Sequence, residues 1–262
     1  MFGSLTYLVF SQLAVGGSLS ILLVPREAGK TFFRFCSVAS LALLVIALAA
    51  SDLNPVAPTV PHLLLAAYGL CTVVFTLSVI CDRQSRRWQI GSALVGATAL
   101  LADGVFRTSV DLLWWASVFE ATYALTSALF LGSVIYGMVL GHWYLVLPTL
   151  PVKPLKDITG LMILSLLAKA VLTTVVLFVY FVEGGPGFQE TISSFIGVTG
   201  FFFWARVLFG LLGPAAVCYM TWETVKINST QSATGLLYVA TILVLIGEPV
   251  SRFIYLTTSL PV

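Results

Sequence analysis

The chain has 262 residues, 59% of them hydrophobic and only 9% charged, against roughly 25% charged side chains in an ordinary soluble domain. With 11 acids, 13 bases and a mean hydropathy of +1.03, no stretch is polar enough to form a separate water-facing domain, so catalysis in such a domain is excluded. A net charge of +2, spread in short clusters, also excludes nucleic acid as a natural partner.

A membrane-crossing helix needs about 20 largely apolar residues, and eight segments supply them: 3–24, 32–50, 60–81, 88–102, 113–145, 158–182, 192–222 and 233–257. The first carries no Lys or Arg and no small-residue cleavage site before Pro25, so it reads as a retained span and not as a secretory signal. The fourth is short, with an Arg-flanked start at Trp88 and Gly104 as a stop, and crosses if the bilayer thins locally or flanking side chains snorkel. The fifth opens on Asp111-Leu112-Leu113-Trp114-Trp115, an interfacial turn with Trp at headgroup level. Asn54 to Pro58 and Glu183 to Gly187 read as turns, Pro148, Pro151 and Pro154 as a stiff connection, and Gly210, Gly213 and Pro214 as a kink or a close packing point in span seven. Cys36, Cys71, Cys81 and Cys218 lie within or at the ends of apolar runs and read as small buried hydrophobes.

Connection charges alternate. Nine Lys and Arg residues fall in the odd-numbered connections and one, Arg107, in the even-numbered ones, so the positive-inside rule places both termini outside. The expected fold is an all-α integral membrane protein of eight transmembrane helices in two four-helix bundles, 1–107 and 108–262.

An ionisable group deep in a span costs about 2.5–3.5 kcal/mol on insertion scales and needs a partner or a wet cavity. Five such groups fall in the second bundle: Glu120, Lys169, Arg206, Glu248 and Arg252, with none of comparable depth in the first. Glu248 and Arg252 stand one turn apart on a single face. One reading is a structural lock in which these two pair while Lys169 snorkels. The other is a hydrated proton path, with the carboxylates carrying protons beside the cations.

The first bundle offers neutral polar groups. Gln12 lies mid-span beside Gly16-Gly17, and His62 begins span three near Asp52. A histidine at a membrane boundary is either simply solvated or able to hydrogen-bond a quinone carbonyl and exchange its proton, which makes His62, Asp52 and Gln12 the candidate quinone contacts. His142-Trp143-Tyr144 at the inner end of span five reads as an aromatic anchor or as a second quinone or haem site. His62 and His142 fall on opposite membrane faces, about 30 Å apart, so one haem b cannot bridge them, although a haem with a single histidine ligand is compatible with the sequence. No spacing of Cys and His marks a metal site.

The run Val9-Phe10-Ser11-Gln12-Leu13-Ala14-Val15-Gly16-Gly17 and the run from Leu243 to Tyr255, containing Gly247-Glu248-Pro249 and Ser251-Arg252, resemble the opening and closing helices of NrfD-type membrane anchors, the dimethyl-sulfoxide-reductase anchor branch in particular. The two runs cover about 22 residues; the Gly-His-Trp-Tyr run departs from the family pattern. The resemblance implies a subunit that binds quinol (menaquinone or ubiquinone) near the outer face of the first bundle and docks iron–sulfur, cytochrome or molybdopterin subunits in a hetero-oligomeric complex. It also implies residence in a bacterial inner membrane, among lipid, with proton translocation through the second bundle in some members. On this expectation the chain is a subunit of a quinone-linked oxidoreductase and no complete enzyme alone. The alternatives are a secondary transporter or channel using the second-bundle charges, a haem b cytochrome, and a purely structural subunit.

Overall fold

A computed structural model describes residues 1–51, 59–81, 85–108, 114–147, 149–183 and 198–258. These residues are helical apart from short turns, and eight helical stretches are long and apolar enough to cross a membrane. The chain is an integral membrane protein. Its outer surface is the apolar one expected of a lipid-facing bundle: Leu70, Leu164, Phe201 and Ile242 are all well exposed, because lipid, unlike water, accepts such side chains without cost.

The helices are α1 (Phe2–Ser20), α2 (Lys30–Ser51), α3 (Thr59–Ile80), α4 (Arg86–Thr108), α5 (Trp114–Val146), α6 (Lys153–Glu183), α7 (Val198–Val207), α8 (Gly213–Lys226) and α9 (Thr230–Thr258). Helices α7 and α8 belong to one span, joined by a π-helical segment, Leu208–Leu212. Helix α5 is the hub, packing on α1, α4, α6 and α9; α1 also packs on α2 and α4, α3 on α2 and α4, and α8 on α6 and α9.

Glycines set the closest approaches. A Cβ on Gly16 would run into the Ala128 carbonyl, and one on Gly132 into the backbone of Gly16, so α1 and α5 touch backbone to backbone. Without a hydrophobic driving force between helices in lipid, such small-residue seams supply the van der Waals contact that holds them. Gly104 works the same way against Ala121. It therefore does not stop the fourth span, as the sequence suggests; α4 continues through it for 23 residues, long enough to cross without thinning the bilayer.

The kink expected in span seven takes a specific form. Pro214 has no N–H to donate to the carbonyl of Gly210 four residues back, and the chain passes through five π-helical residues before resuming α-helix at Gly213. Gly210 and Gly247 then allow the π segment and α9 to meet at backbone distance. In α9, Pro249 likewise removes one ladder bond, immediately after Glu248.

Hydrogen bonds fix which helix ends lie together. Arg86 Nη2 donates to the Leu22 carbonyl (2.9 Å), Gln89 Nε2 to Ile21 (3.1 Å) and Trp143 Nε1 to Ala28 (2.9 Å), gathering the ends of α1 and α5 and the start of α4 on one face. Arg26, Lys30, Arg86, Lys153 and Lys226 belong to this basic face. The starts of α1, α3 and α5 and the ends of α4 and α9 form the opposite face, called the His62 face below. Cys36 and Cys218 are buried as expected, whereas Cys71 is half-buried and Cys81, at the end of α3, is exposed.

Candidate functional site

The five intramembrane charges converge. Glu120 on α5, Lys169 on α6, Arg206 on α7, and Glu248 and Arg252 on α9 are each at most 2% exposed. Helix α9 presents Glu248 and Arg252 on one face, but they do not pair with each other. Lys169 Nζ donates to Glu248 Oε2, and also to Ser127 Oγ at 2.7 Å. Arg206 Nη1 stands 4.0 Å from Glu248 Oε1. Arg252 Nη1 donates to Glu120 Oε1 at 2.9 Å, and Arg252 Nε to Gln12 Oε1 at 3.3 Å. Lys169 is fully buried, so it does not snorkel; three of its neighbours, Ser127, Glu248 and the Tyr123 ring, hold its ammonium in place of water.

Tyr123 is the centre of this network. Its hydroxyl shares a hydrogen bond with Ser251 Oγ (3.0 Å) and accepts one from Arg206 Nη2 (3.2 Å). Lys169 Nζ lies 4.9 Å and the Arg252 guanidinium carbon 5.0 Å from its ring centroid, within range of the attraction between cations and the negative face of an aromatic ring. Tyr123 and Ser127 do not stand out in the sequence as the five charges do. The signal that could have found them is their spacing from Glu120, three and seven residues along α5, which lines all three on one helix face.

Gln12 is drawn into this network by Arg252. Its mid-span position is as expected, but its side chain answers the second-half charges, while Tyr7, one and a half turns earlier on α1, meets His62.

That meeting forms a second cluster, on the His62 face. The His62 imidazole stacks on the Tyr7 ring, with centroids 5.2 Å apart and planes at 29°. Tyr7 OH donates to Asp103 Oδ1 (3.2 Å), Asp103 Oδ2 accepts from Arg107 Nε (2.8 Å), and the Arg107 guanidinium lies 5.1 Å over the Tyr7 ring. Asp103 is 3% exposed, which corrects the expectation that the first half holds no deep charge. The i,i+4 spacing of Asp103 and Arg107 was visible in the sequence; ending the fourth span at residue 102 hid it. Asp52 lies outside the described residues, as do the proposed turns at 54–58, 111–113 and 184–187. Tyr255 on α9 stands between the two clusters, close enough to interact electrostatically with Glu120 and Arg252 on one side and with Asp103 and Arg107 on the other.

The third candidate, His142-Trp143-Tyr144, sits on the basic face. Exposed His142 shares a 3.3 Å hydrogen bond with the Tyr238 hydroxyl through Nδ1. Trp143 donates to Ala28 and Tyr144 OH donates to the Pro151 carbonyl at 2.7 Å, so these two rings tie α5 to the connections on either side. Trp143→Phe is expected to cost about 0.5–1.5 kcal/mol, the net worth of one such hydrogen bond, as a lowered unfolding midpoint. Beside this run, Tyr144, Leu150, Asn228, Thr230 and Gln231 line a cavity of about 260 Å³. The two histidines lie on opposite faces, and no group of three or more His, Cys, Asp or Glu among the described residues is arranged to hold a metal ion.

Protein-family models and curated protein sequences both return no match to this chain.

Proposed function

We propose that the protein is a membrane subunit of a respiratory electron-transfer complex in a bacterial inner membrane, exchanging electrons between a membrane quinol and an iron–sulfur or cytochrome partner. The observation that carries this reading is the His62 cluster. It places an imidazole at the membrane boundary, flat against a phenol, with a buried carboxylate and its guanidinium directly behind. A few convergent polar groups are what orient a quinone head in its site. Quinol oxidation releases two electrons and two protons; the electrons pass to the partner. His62 donates or accepts a hydrogen bond at a ring nitrogen and takes a proton there, Tyr7 holds the ring plane, and Asp103, fixed by Arg107, holds Tyr7. The positive-inside rule puts this face outside, so the protons leave on the outer side. The two-bundle arrangement fits the packing: α1 to α4 close one ring, and α5, α6, α8 and α9 close another, with the α1–α5 seam between them.

The test is His62→Ala in the complex purified with its partners. Quinol oxidation is expected to fall about 10²-fold, the typical contribution of a positioned proton-transfer group, with partner stoichiometry unchanged. Tyr7→Phe, which keeps the ring and loses the bond to Asp103, is expected to cost less. Unaltered quinol oxidation in His62→Ala overturns the reading.

A second reading, transport of a small ion, is favoured by one observation: the central network holds three cations against two carboxylates, with several of its donor atoms unpaired.

A further inference from the structure

The charge count leads to a binding site. Lys169, Arg206 and Arg252 face only Glu120 and Glu248, and the Asp103–Arg107 pair is neutral, so one positive charge remains unbalanced among the described buried residues. An uncompensated charge in a low-dielectric interior is among the most expensive features a protein can carry. Its location is marked by unused donors, beside which the carboxylate oxygens Glu120 Oε2 and Glu248 Oε1 also lack a hydrogen-bond partner among the described residues. Arg252 Nε and Gln12 Oε1 hold each other at 3.3 Å, and beside that contact Arg252 Nη2 and Gln12 Nε2 have no hydrogen-bond partner among the described residues, though both residues are at most 1% exposed. The unpaired nitrogens of Arg206 are differently placed: Nη1 is directed at Glu248, and the guanidinium lies over Gly210.

We propose that Gln12 Nε2 and Arg252 Nη2 bind a small monovalent inorganic anion of halide size, which balances the network. Arg252 supplies the charge and one donor, Gln12 a neutral donor from the neighbouring helix, and Glu120, which holds the opposite side of the guanidinium, fixes the geometry. A carboxylate so near selects for an anion of single charge, since each added negative charge meets Glu120. The anion reaches the site from the His62 face. Glu248 is 10 residues from the end of α9 on that face and 18 from its start on the basic face, distances of about 15 and 27 Å along the helix. The longer side is closed by one continuous apolar cluster that includes Leu131, Val134, Met162, Leu166, Leu237 and Val244, all buried. Within that half Thr159, Ser133 and Thr241 bond to carbonyls of their own helices, whereas Ser18 with Tyr68 and Ser40 with Tyr136 form hydroxyl pairs between helices.

The experiment follows thermal unfolding of the detergent-purified protein with a thiol-reactive dye, which reports the exposure of buried Cys36 and Cys218. Sodium bromide is titrated against sodium sulfate at equal ionic strength. The expected result is a saturable rise with bromide, about 5 °C at a hundredfold excess over its dissociation constant, and none with sulfate. Gln12→Leu removes the neutral donor and no charge; because it also takes the acceptor from Arg252 Nε, its unfolding midpoint in sulfate is expected to fall below the wild type, and the bromide rise above that lower baseline to be lost. Bromide and sulfate curves that coincide in the wild type, or a Gln12→Leu protein with the wild-type bromide response, overturn the proposal. So does a phenolate absorbance from Tyr123 in halide-free protein, since the chain would then balance its own charge. If Gln12→Leu does not fold, anomalous scattering from bromide in wild-type crystals decides: a peak against Gln12 and Arg252 supports the site and its absence overturns it. None of these readouts involves quinone, so their failure leaves the reading of the His62 cluster standing, and failure of that reading leaves these untouched.

Discussion

Glu248→Gln is expected to be the most damaging single substitution in the buried network, and more damaging than Lys169→Met. Glu248 faces two cations, Lys169 and Arg206. Neutralising it raises the surplus of buried positive charge from one to two and leaves the Lys169 ammonium facing a neutral amide oxygen, Ser127 and the Tyr123 ring, with no counter-charge of its own. Breaking a buried pair by removing one partner costs about 3–5 kcal/mol. Lys169→Met removes the surplus and leaves Arg206 4.0 Å from Glu248 as counter-charge, but takes away the hydrogen bond Glu248 receives from Lys169, so a smaller cost of about 1–3 kcal/mol is expected. Unfolding midpoints and folded yields of the two proteins in the same detergent check the asymmetry. Equal damage from both would mean that pairing geometry, and not net charge, governs the network.

The second large effect belongs to the α1–α5 seam. Gly132→Val is expected to lose folded protein, at a cost of about 3 kcal/mol or more, because the new Cβ meets the backbone of Gly16 and no side-chain rotation relieves a clash with backbone. Gly160→Ala on α6 is the matched control. Nothing stands within 4 Å of a Cβ there, and a glycine inside a helix gives up about 0.5–1 kcal/mol relative to alanine, so this change is expected to raise the unfolding midpoint slightly. Comparing the two separates a contact requirement from a general effect of glycine on helix stability.

The spans were legible in the sequence because lipid imposes a single rule, a long apolar run with polar ends, and the runs obey it. The boundaries were less so. Lys153 and Pro154 form the first turn of α6 although the sequence reads them as connection, since Pro is well suited to a helix start and snorkelling Lys to a membrane edge. The five buried charges stand out for the same reason as the spans: they break the rule. Their partners did not, because pairing depends on how helices face one another. Spacing alone couples Glu248 to Arg252, and packing sends one to α6 and α7 and the other to α1 and α5. Tyr123 was hidden by chemistry: a tyrosine in an apolar helix breaks no rule, and only its three cationic neighbours give it meaning.

The five π-helical residues ahead of Gly213 act as a phase shifter in the seventh span. A π turn accommodates one residue more than an α turn between the same two levels, so everything before it is rotated by about 100° relative to an unbroken helix. Arg206 lies just before that offset, with its guanidinium against Glu248 and Tyr123. Deleting Leu211 would restore a regular helix without touching any charged residue, and would swing Arg206 out of the network toward lipid. The position of a buried cation in this protein is thus encoded by residue count as well as by residue type, and a change in chain length of a single residue is enough to rewrite its electrostatics.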